Sequence, residues 1–190
     1  MPLPLLDSDQ FYWYGKVPLP AWSGFQNRTG PYESRTRAAP STSEYHLMVE
    51  YPDGVKDTLP SEEQHRAYDY LLEHQEEIRE MLLPRLFDEY ERVAAEFTAE
   101  ERQDYGIPEI SAPNKLKTHM GLSNIHVSSI SKDGIAYLGL SFGCDWEEEH
   151  GAGVMLHKSR VIDVGDASTS FEQWIAREDR DNGQKPRVSE

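Results

Sequence analysis

A chain of 190 residues has room for one hydrophobic core, and with roughly 150 residues per domain as the usual prior, a single domain with extended ends is expected. Its 34 acidic against 19 basic residues leave a net charge of −15, which argues against binding to a phosphate backbone, since that needs clustered Lys and Arg. Cys144 is the single cysteine, so an intramolecular disulfide and an all-cysteine zinc site are both excluded.

The mean hydropathy of −0.71 describes a polar chain, while an aromatic fraction of 11% supplies enough bulk for a packed core. No apolar run approaches the ~20 residues that cross a bilayer. The start Met-Pro-Leu-Pro-Leu-Leu-Asp lacks the basic and long apolar regions of a signal peptide, so a cytoplasmic protein without membrane contact is expected. The acidic balance favours fast association with a basic protein through complementary potentials, although ordinary solubility accounts for the same charge.

In chain order, Phe-Tyr-Trp-Tyr at 11–14 and Ala-Trp-Ser-Gly-Phe at 21–25 are β-prone, with Pro18 and Pro20 confining any strand there to an edge or a fragment. Residues 26–43 are polar, contain Gly30, Pro31 and Pro40, and read as a loop. Residues 44–51 alternate as a strand and end at Pro-Asp-Gly. Ser61 and Gln64 form a capping-box pattern, after which Leu71, Ile78, Leu82, Leu86, Tyr90, Val93 and Phe97 fall on one helical face. Pro84 inside this run predicts two helices or one bent helix. Glu73, Glu76, Glu77 and Glu80 lie off the apolar face and read as a solvated surface. Thr98 and Glu101 repeat the capping pattern, and 114–120 can form a short helix.

The clearest hairpin signal is 123–130, the turn Lys-Asp-Gly at 132–134 and 135–142, whose second strand looks buried on both faces. An acidic turn follows, then strands at 153–157 and 161–164. Residues 170–177 read as a helix with Phe171, Trp174 and Ile175 as its docking face. The fold class is α+β, with a mainly antiparallel sheet, its C-terminal part a β-meander, packed against a central helix pair or one kinked helix and a C-terminal helix. The division expected is an aromatic and proline-rich segment 1–43, an α+β domain 44–178 and a flexible tail 179–190.

Gly-Ile-Ala-Tyr-Leu-Gly-Leu-Ser-Phe at 134–142, Cys-Asp-Trp-Glu-Glu-Glu-His-Gly-Ala-Gly-Val at 144–154 and Arg-Val-Ile-Asp-Val-Gly-Asp-Ala at 160–167 resemble an uncharacterised bacterial domain family with a Trp-acidic-Glu-His-Gly-x-Gly-Val turn. The resemblance implies a shared α+β fold and no established activity, and its bacterial setting makes toxin neutralisation or another protein-binding role plausible.

Asp145, Trp146, Glu147, Glu148, Glu149 and His150 concentrate the chemically capable groups of the chain. As chemistry, Asp145, Glu148 or Glu149 with His150 can ligate a divalent metal or orient a general base. The helical His-Glu-x-x-His pattern is missing, however, so neither a catalytic nor a metal site is assigned, and no cofactor is expected. As structure, Trp146 packs beneath the turn, the polar groups cap it, and Gly151 and Gly153 provide its backbone angles. His126 and His157 are placed on neighbouring strands as half-buried polar groups, and Cys144 as a small buried side chain whose acidic neighbours raise its pKa. Tyr12, Trp13, Tyr14, Trp22 and Phe25 either form a recognition surface or cover an open end of the sheet. The leading expectation is a non-enzymatic acidic binding protein, an immunity-type inhibitor of a basic partner such as a toxin, that uses residues 145–150. The alternative is a small metal-assisted hydrolase on the 145–150 acidic turn, using His150 with Asp145, Glu148 or Glu149.

Overall fold

The computed structural model of the chain describes residues 2–28, 40–41, 43–56 and 58–182. Seven strands form one sheet in sequence order: β1 (Leu5–Ser8), β2 (Tyr12–Pro18), β3 (Glu44–Glu50), β4 (Met120–Lys132), β5 (Ile135–Cys144), β6 (Glu147–His157) and β7 (Arg160–Gly165). Neighbours are antiparallel except β3 and β4, which run parallel. A parallel pair cannot be joined by a tight turn. The crossover consists of α1 (Glu62–Ala94), α2 (Ala99–Asp104) and a 3₁₀ turn, Pro113–Thr118. The fold is therefore α+β, with β4 to β7 as its meander.

Both capping boxes are formed. Ser61 accepts from the Gln64 N–H at 3.2 Å while the Gln64 side chain accepts from the Ser61 N–H at 2.9 Å, and Thr98 and Glu101 do the same for α2. Leu71, Ile78, Leu82, Leu86 and Tyr90 of α1 are buried, and Val93 and Phe97 pack half-buried against them. The helix is continuous but bent, and the bend is not at Pro84. It lies at His74, whose φ of −114° and ψ of 16° leave the helical region. Pro84 is exposed, so the carbonyl it leaves unbonded faces water. Next to His74 the N-terminal segment docks: Gln75 accepts from the Ala21 N–H at 3.0 Å and Arg79 donates to the Ala21 carbonyl at 2.8 Å.

The N-terminal segment is part of the same core. Val17, Leu19, Trp22 and Phe25 are buried with Leu47, Leu140 and Phe142. Residues 21–25, read as β-prone, instead open in a 3₁₀ turn, Pro20–Trp22, because Pro20 presets the first turn angle. Strand β1 precedes the first β-prone segment of the sequence, 11–14, and pairs with it. The short helix expected at 114–120 forms as the 3₁₀ turn Pro113–Thr118, and Met120 already opens β4. Of the loop expected at 26–43, residues 29–39 and 42 lie outside the described residues.

A smaller cluster of Tyr137, Met155, Ile175 and Ala176 lies under α3 (Gln173–Asn182). This helix starts later than the expected 170–177, because Asp166 caps a preceding 3₁₀ turn, Ala167–Ser170, through the Ser168 N–H at 2.8 Å. The shift changes its face: Ile175 is buried, but Phe171 and Trp174 stay 46% and 57% exposed. Residues 179–182, expected in a flexible tail, are the last turn of α3. Asp179 anchors them, accepting from Arg160 at 2.7 Å, Tyr137 at 2.7 Å and Lys132 at 3.1 Å. Those donors hold its carboxyl well below the usual carboxylate range, Arg160 contributing most. Residues 183–190 of that tail lie outside the described residues.

Both edge strands carry the same device. On β1 the Asp7 carboxylate accepts the N–H of Ser8 at 2.8 Å, and on β7 the Asp163 carboxylate accepts that of Val164 at 3.0 Å. Charge placed on an exposed edge discourages unwanted strand pairing.

Strand β5 is buried along its whole length, as its sequence predicts. At its centre the Ser170 carbonyl lies only 1.6 Å from where a Cβ on Gly139 would stand. Gly139→Ala is therefore expected to push the 167–170 turn off the sheet and to destabilise by about 1–3 kcal/mol, the overpacking range. Urea unfolding measures this directly, and an unchanged midpoint would contradict the close approach.

Candidate functional site

The acidic stretch is not a free turn. Asp145 and Trp146 alone form a two-residue hairpin turn, and Glu147 to His150 already belong to β6. Between the pairs Phe142↔Ala152 and Cys144↔Glu147, β5 spends one residue, Gly143, where β6 spends four, 148–151. The excess bulges out of the ladder and exposes Glu148, Glu149 and His150. Gly151 closes the bulge with φ at +62°, and a Cβ there would stand 2.4 Å from the Phe142 carbonyl. Glu147 ties the bulge internally, its Oε1 lying 3.3 Å from the His150 N–H and 3.2 Å from His150 Nδ1.

The six candidate residues thus separate into three environments. Trp146 is buried, its ring edge-on to Tyr90 at 5.6 Å between centroids. Asp145 turns away from the bulge. Its backbone N–H donates to the His119 carbonyl at 2.8 Å, and its carboxylate takes bonds from Arg28 and from Gln26 Nε2 at 2.9 Å, with His119 Nδ1 at 3.2 Å. The Arg28 side chain is 2% exposed, so this is a largely buried ion pair that clamps the N-terminal segment onto the hairpin. Glu147, Glu148, Glu149 and His150 remain at the surface. Asp145 and His150, joined in the hydrolase expectation, therefore have different partners.

A cleft of 270 Å³ opens between this bulge and the end of α1. Trp146, Glu147 and His150 form one wall, Glu89, Arg92 and Val93 the other, and Asp166 closes the end. Arg92 is spent at the end of α1, donating to Glu89 at 2.6 Å and to Glu96, just beyond the helix, at 3.0 Å. Asp166 is held below the usual carboxylate range, chiefly by the Ser168 hydroxyl, with His150 adding to the effect. The cleft is consequently an anionic pocket with a histidine at its rim.

The remaining candidates do not join it. His126 on β4 and His157 on β6 are separated by β5 rather than lying on adjacent strands. His126 stacks obliquely on Phe171, with centroids 5.3 Å apart, and His157 contacts the Lys132 carbonyl at 2.9 Å. Cys144 is buried and donates to the Glu147 carbonyl at 3.5 Å, and burial pushes its thiol pKa up, away from a reactive thiolate. Among the described residues no three His, Cys, Asp or Glu side chains converge as metal ligands. Trp13, Trp22 and Phe25 join the main core, while Tyr12 and Tyr14 stay half-exposed.

Five members of these constellations are not singled out by the sequence. Glu89 and Arg92 lie in the helical run without a motif of their own, and Asp166 falls in the 160–167 stretch with no role attached to it. Gln26 and Arg28 sat in a polar stretch 119 and 117 residues from Asp145, a separation that no spacing rule reaches.

The family model described as Domain of unknown function (DUF6985) matches residues 28–171. No curated protein and no solved structure shows significant similarity to the chain. No helix among the described residues is long and apolar enough to cross a membrane.

Proposed function

The chain belongs to the DUF6985 family, and we propose that it is a non-enzymatic binder of a basic protein partner, most concretely an immunity-type inhibitor that occludes a toxin. The observation that carries this reading is the anionic cleft beside the β6 bulge. Glu147 and Asp166 face a space that admits a single long basic side chain, and Glu148 and Glu149 stand exposed on its approach. The net charge of −15 supports the same partner, because a field of one sign steers encounter with the opposite sign. The alternative of a metal-assisted hydrolase using His150 with Asp145, Glu148 or Glu149 gains less support from the geometry, since Asp145 is committed to Gln26, Arg28 and His119, and His150 Nδ1 lies against Glu147 rather than against Glu148 or Glu149.

Glu147 is half-buried and holds the bulge, so the informative variant is Glu148→Gln with Glu149→Gln. With a captured basic partner, this double variant is expected to slow association while leaving the melting temperature unchanged. Raising salt to physiological strength, where fields reach only ~8 Å, is expected to do the same to the native chain. Surface-binding kinetics at two salt concentrations measure both effects. Equal on-rates in all conditions would remove the electrostatic basis of the proposal.

A further inference from the structure

The face of the sheet turned away from α1 is covered by one continuous segment, the 167–170 turn followed by α3. Two anchors hold it. Near its start the Ser170 carbonyl sits against Gly139 of β5, and near its end Asp179 takes bonds from Arg160, Tyr137 and Lys132. Between the anchors the hold is slighter. Ile175 and Ala176 are the buried residues of α3, and Gln173 donates to Glu50 and to the Ser129 hydroxyl. A helix of ten residues is marginal by itself, so α3 persists through these contacts.

We infer that residues 167–182 form an acid-released strap: when His126 takes up a proton, 171–178 lift from the sheet while the rest of the domain stays folded. The inference does not depend on what occupies the anionic cleft.

His126 lies beneath this span, buried, its ring centroid 5.3 Å from that of Phe171 and its Nδ1 without a hydrogen-bond partner among the described residues. A proton added there is a buried charge, which is strongly unfavourable unless a partner or water meets it. The register shows which groups share its face. On β3, Met48 stands directly opposite, flanked by His46 and Glu50; on β5, Gly139 stands opposite, flanked by Tyr137 and Ser141. On β4 itself the flanking residues are the neutral Asn124 and Ser128, and the strap brings Glu172 next to Phe171. Both carboxylates are engaged elsewhere. Glu50 accepts from the Ser129 N–H at 2.8 Å and from Gln173, and Glu172 accepts from the Ser168 hydroxyl at 3.1 Å and from the Trp174 indole. The proton is therefore best accommodated with Phe171 and the first turns of α3 displaced, where water reaches the imidazole. His157, the other histidine under the strap, differs: its Nε2 already contacts the Lys132 carbonyl at 2.9 Å. The Asp179 carboxyl is held well below the usual carboxylate range, so the far anchor survives acid that charges a histidine. Opening thus bares a strip of the sheet containing His126, Tyr137 and Met155 without detaching α3.

The test is amide hydrogen exchange of the full chain at pH 7 and pH 4.5, each at several low urea concentrations, because urea promotes global unfolding and barely affects a small local opening. The Arg177 and Glu178 amides are expected to be less protected than those of Leu138 and Leu140 in β5, and insensitive to urea. Their protection should fall about fiftyfold between the two pH values, the change expected for an imidazole that titrates at 6.5 when open and at about 4 when covered. His126→Gln should abolish that fall. Phe171→Ala alters a ring that is already 46% exposed, so the fold is kept. It should lower the protection of α3 at pH 7 and flatten its pH dependence, because water then reaches His126 with the strap in place. The inference is overturned if the α3 and β5 amides share one protection and one urea dependence, which would mean that no separate strap exists. Equal protection of α3 at both pH values in the native chain would overturn it too. So would the full fiftyfold fall persisting in either variant, a result that would make His157 the titrating group.

Discussion

Trp146→Ala is expected to lower stability by about 3–5 kcal/mol, the range for deleting a large buried aromatic. For a domain of this size that corresponds to a fall in Tm of roughly 6–20 °C. The ring is 4% exposed and stands edge-on to Tyr90, whose hydroxyl in turn donates to the Pro108 carbonyl at 2.8 Å and accepts from the Ile110 N–H at 3.0 Å. Removing the ring leaves a void at the junction of the β5–β6 turn, the end of α1 and the 107–110 segment, three pieces that no short-range contact holds together. Trp174→Ala provides the contrast. That ring is mostly in water, and its loss should change stability by no more than about 0.5 kcal/mol. Similar urea midpoints for the two variants would mean that Trp146 is not a core residue.

The buried status of Trp146 was legible in the sequence, and so were the two capping boxes, the 132–134 turn and the apolar face of α1. Each rests on a local signal: a side chain three residues from its partner, a two-residue turn, a helical period. What was not legible depended on distance. The parallel pairing of β3 with β4 leaves no mark in either strand and becomes visible only once α1 is placed as a crossover. The first half of β6 reads as a turn because Glu147, Glu148 and Glu149 are poor strand formers. It is a strand because the end of β5, buried throughout, must be covered by something. The bulge is the compromise between these demands, and it is also what pushes the acidic side chains into water. Strand β1 escaped because it is four residues long and mostly exposed, with no alternation to detect.

The candidate site was divided by the same cause. Composition pointed to residues 145–150 as one group, yet a two-residue hairpin turn sends its flanking side chains in different directions. Asp145 is drawn inward by Arg28, which would otherwise be a buried guanidinium without a counter-charge, a costly state. The acidic surface that remains is defined as much by Glu89 and Asp166 as by the stretch that drew attention to it.

Stability is expected to fall as the solution is acidified from pH 7 toward 4, and His126 is the main reason. Its imidazole is buried between the sheet and Phe171, and Nδ1 has no hydrogen-bond partner, so burial lowers its pKa from 6.5 to about 4. The folded state therefore refuses a proton that the unfolded chain accepts. The full stability is present above the unfolded value of 6.5, is lost progressively below it, and reaches its maximum loss once pH falls beneath about 4. Each tenfold difference in proton affinity between the folded and unfolded chain is worth about 1.4 kcal/mol, which makes the cost at pH 4.5 about 2–3 kcal/mol. His157, also lowered by burial, acts in the same direction. The carboxylates with lowered values act in the same direction but further down, Glu63 and Glu101 as pH approaches 4.5 and Asp9, Asp166, Asp179 and Asp181 as it approaches 3.8, so the window above 4.5 belongs chiefly to the histidines. His126→Gln cannot take up this proton and should flatten most of the slope between pH 7 and 4.5. Urea unfolding of both proteins at those two pH values decides the matter: a native chain equally stable at both would show that His126 is not buried in its neutral form.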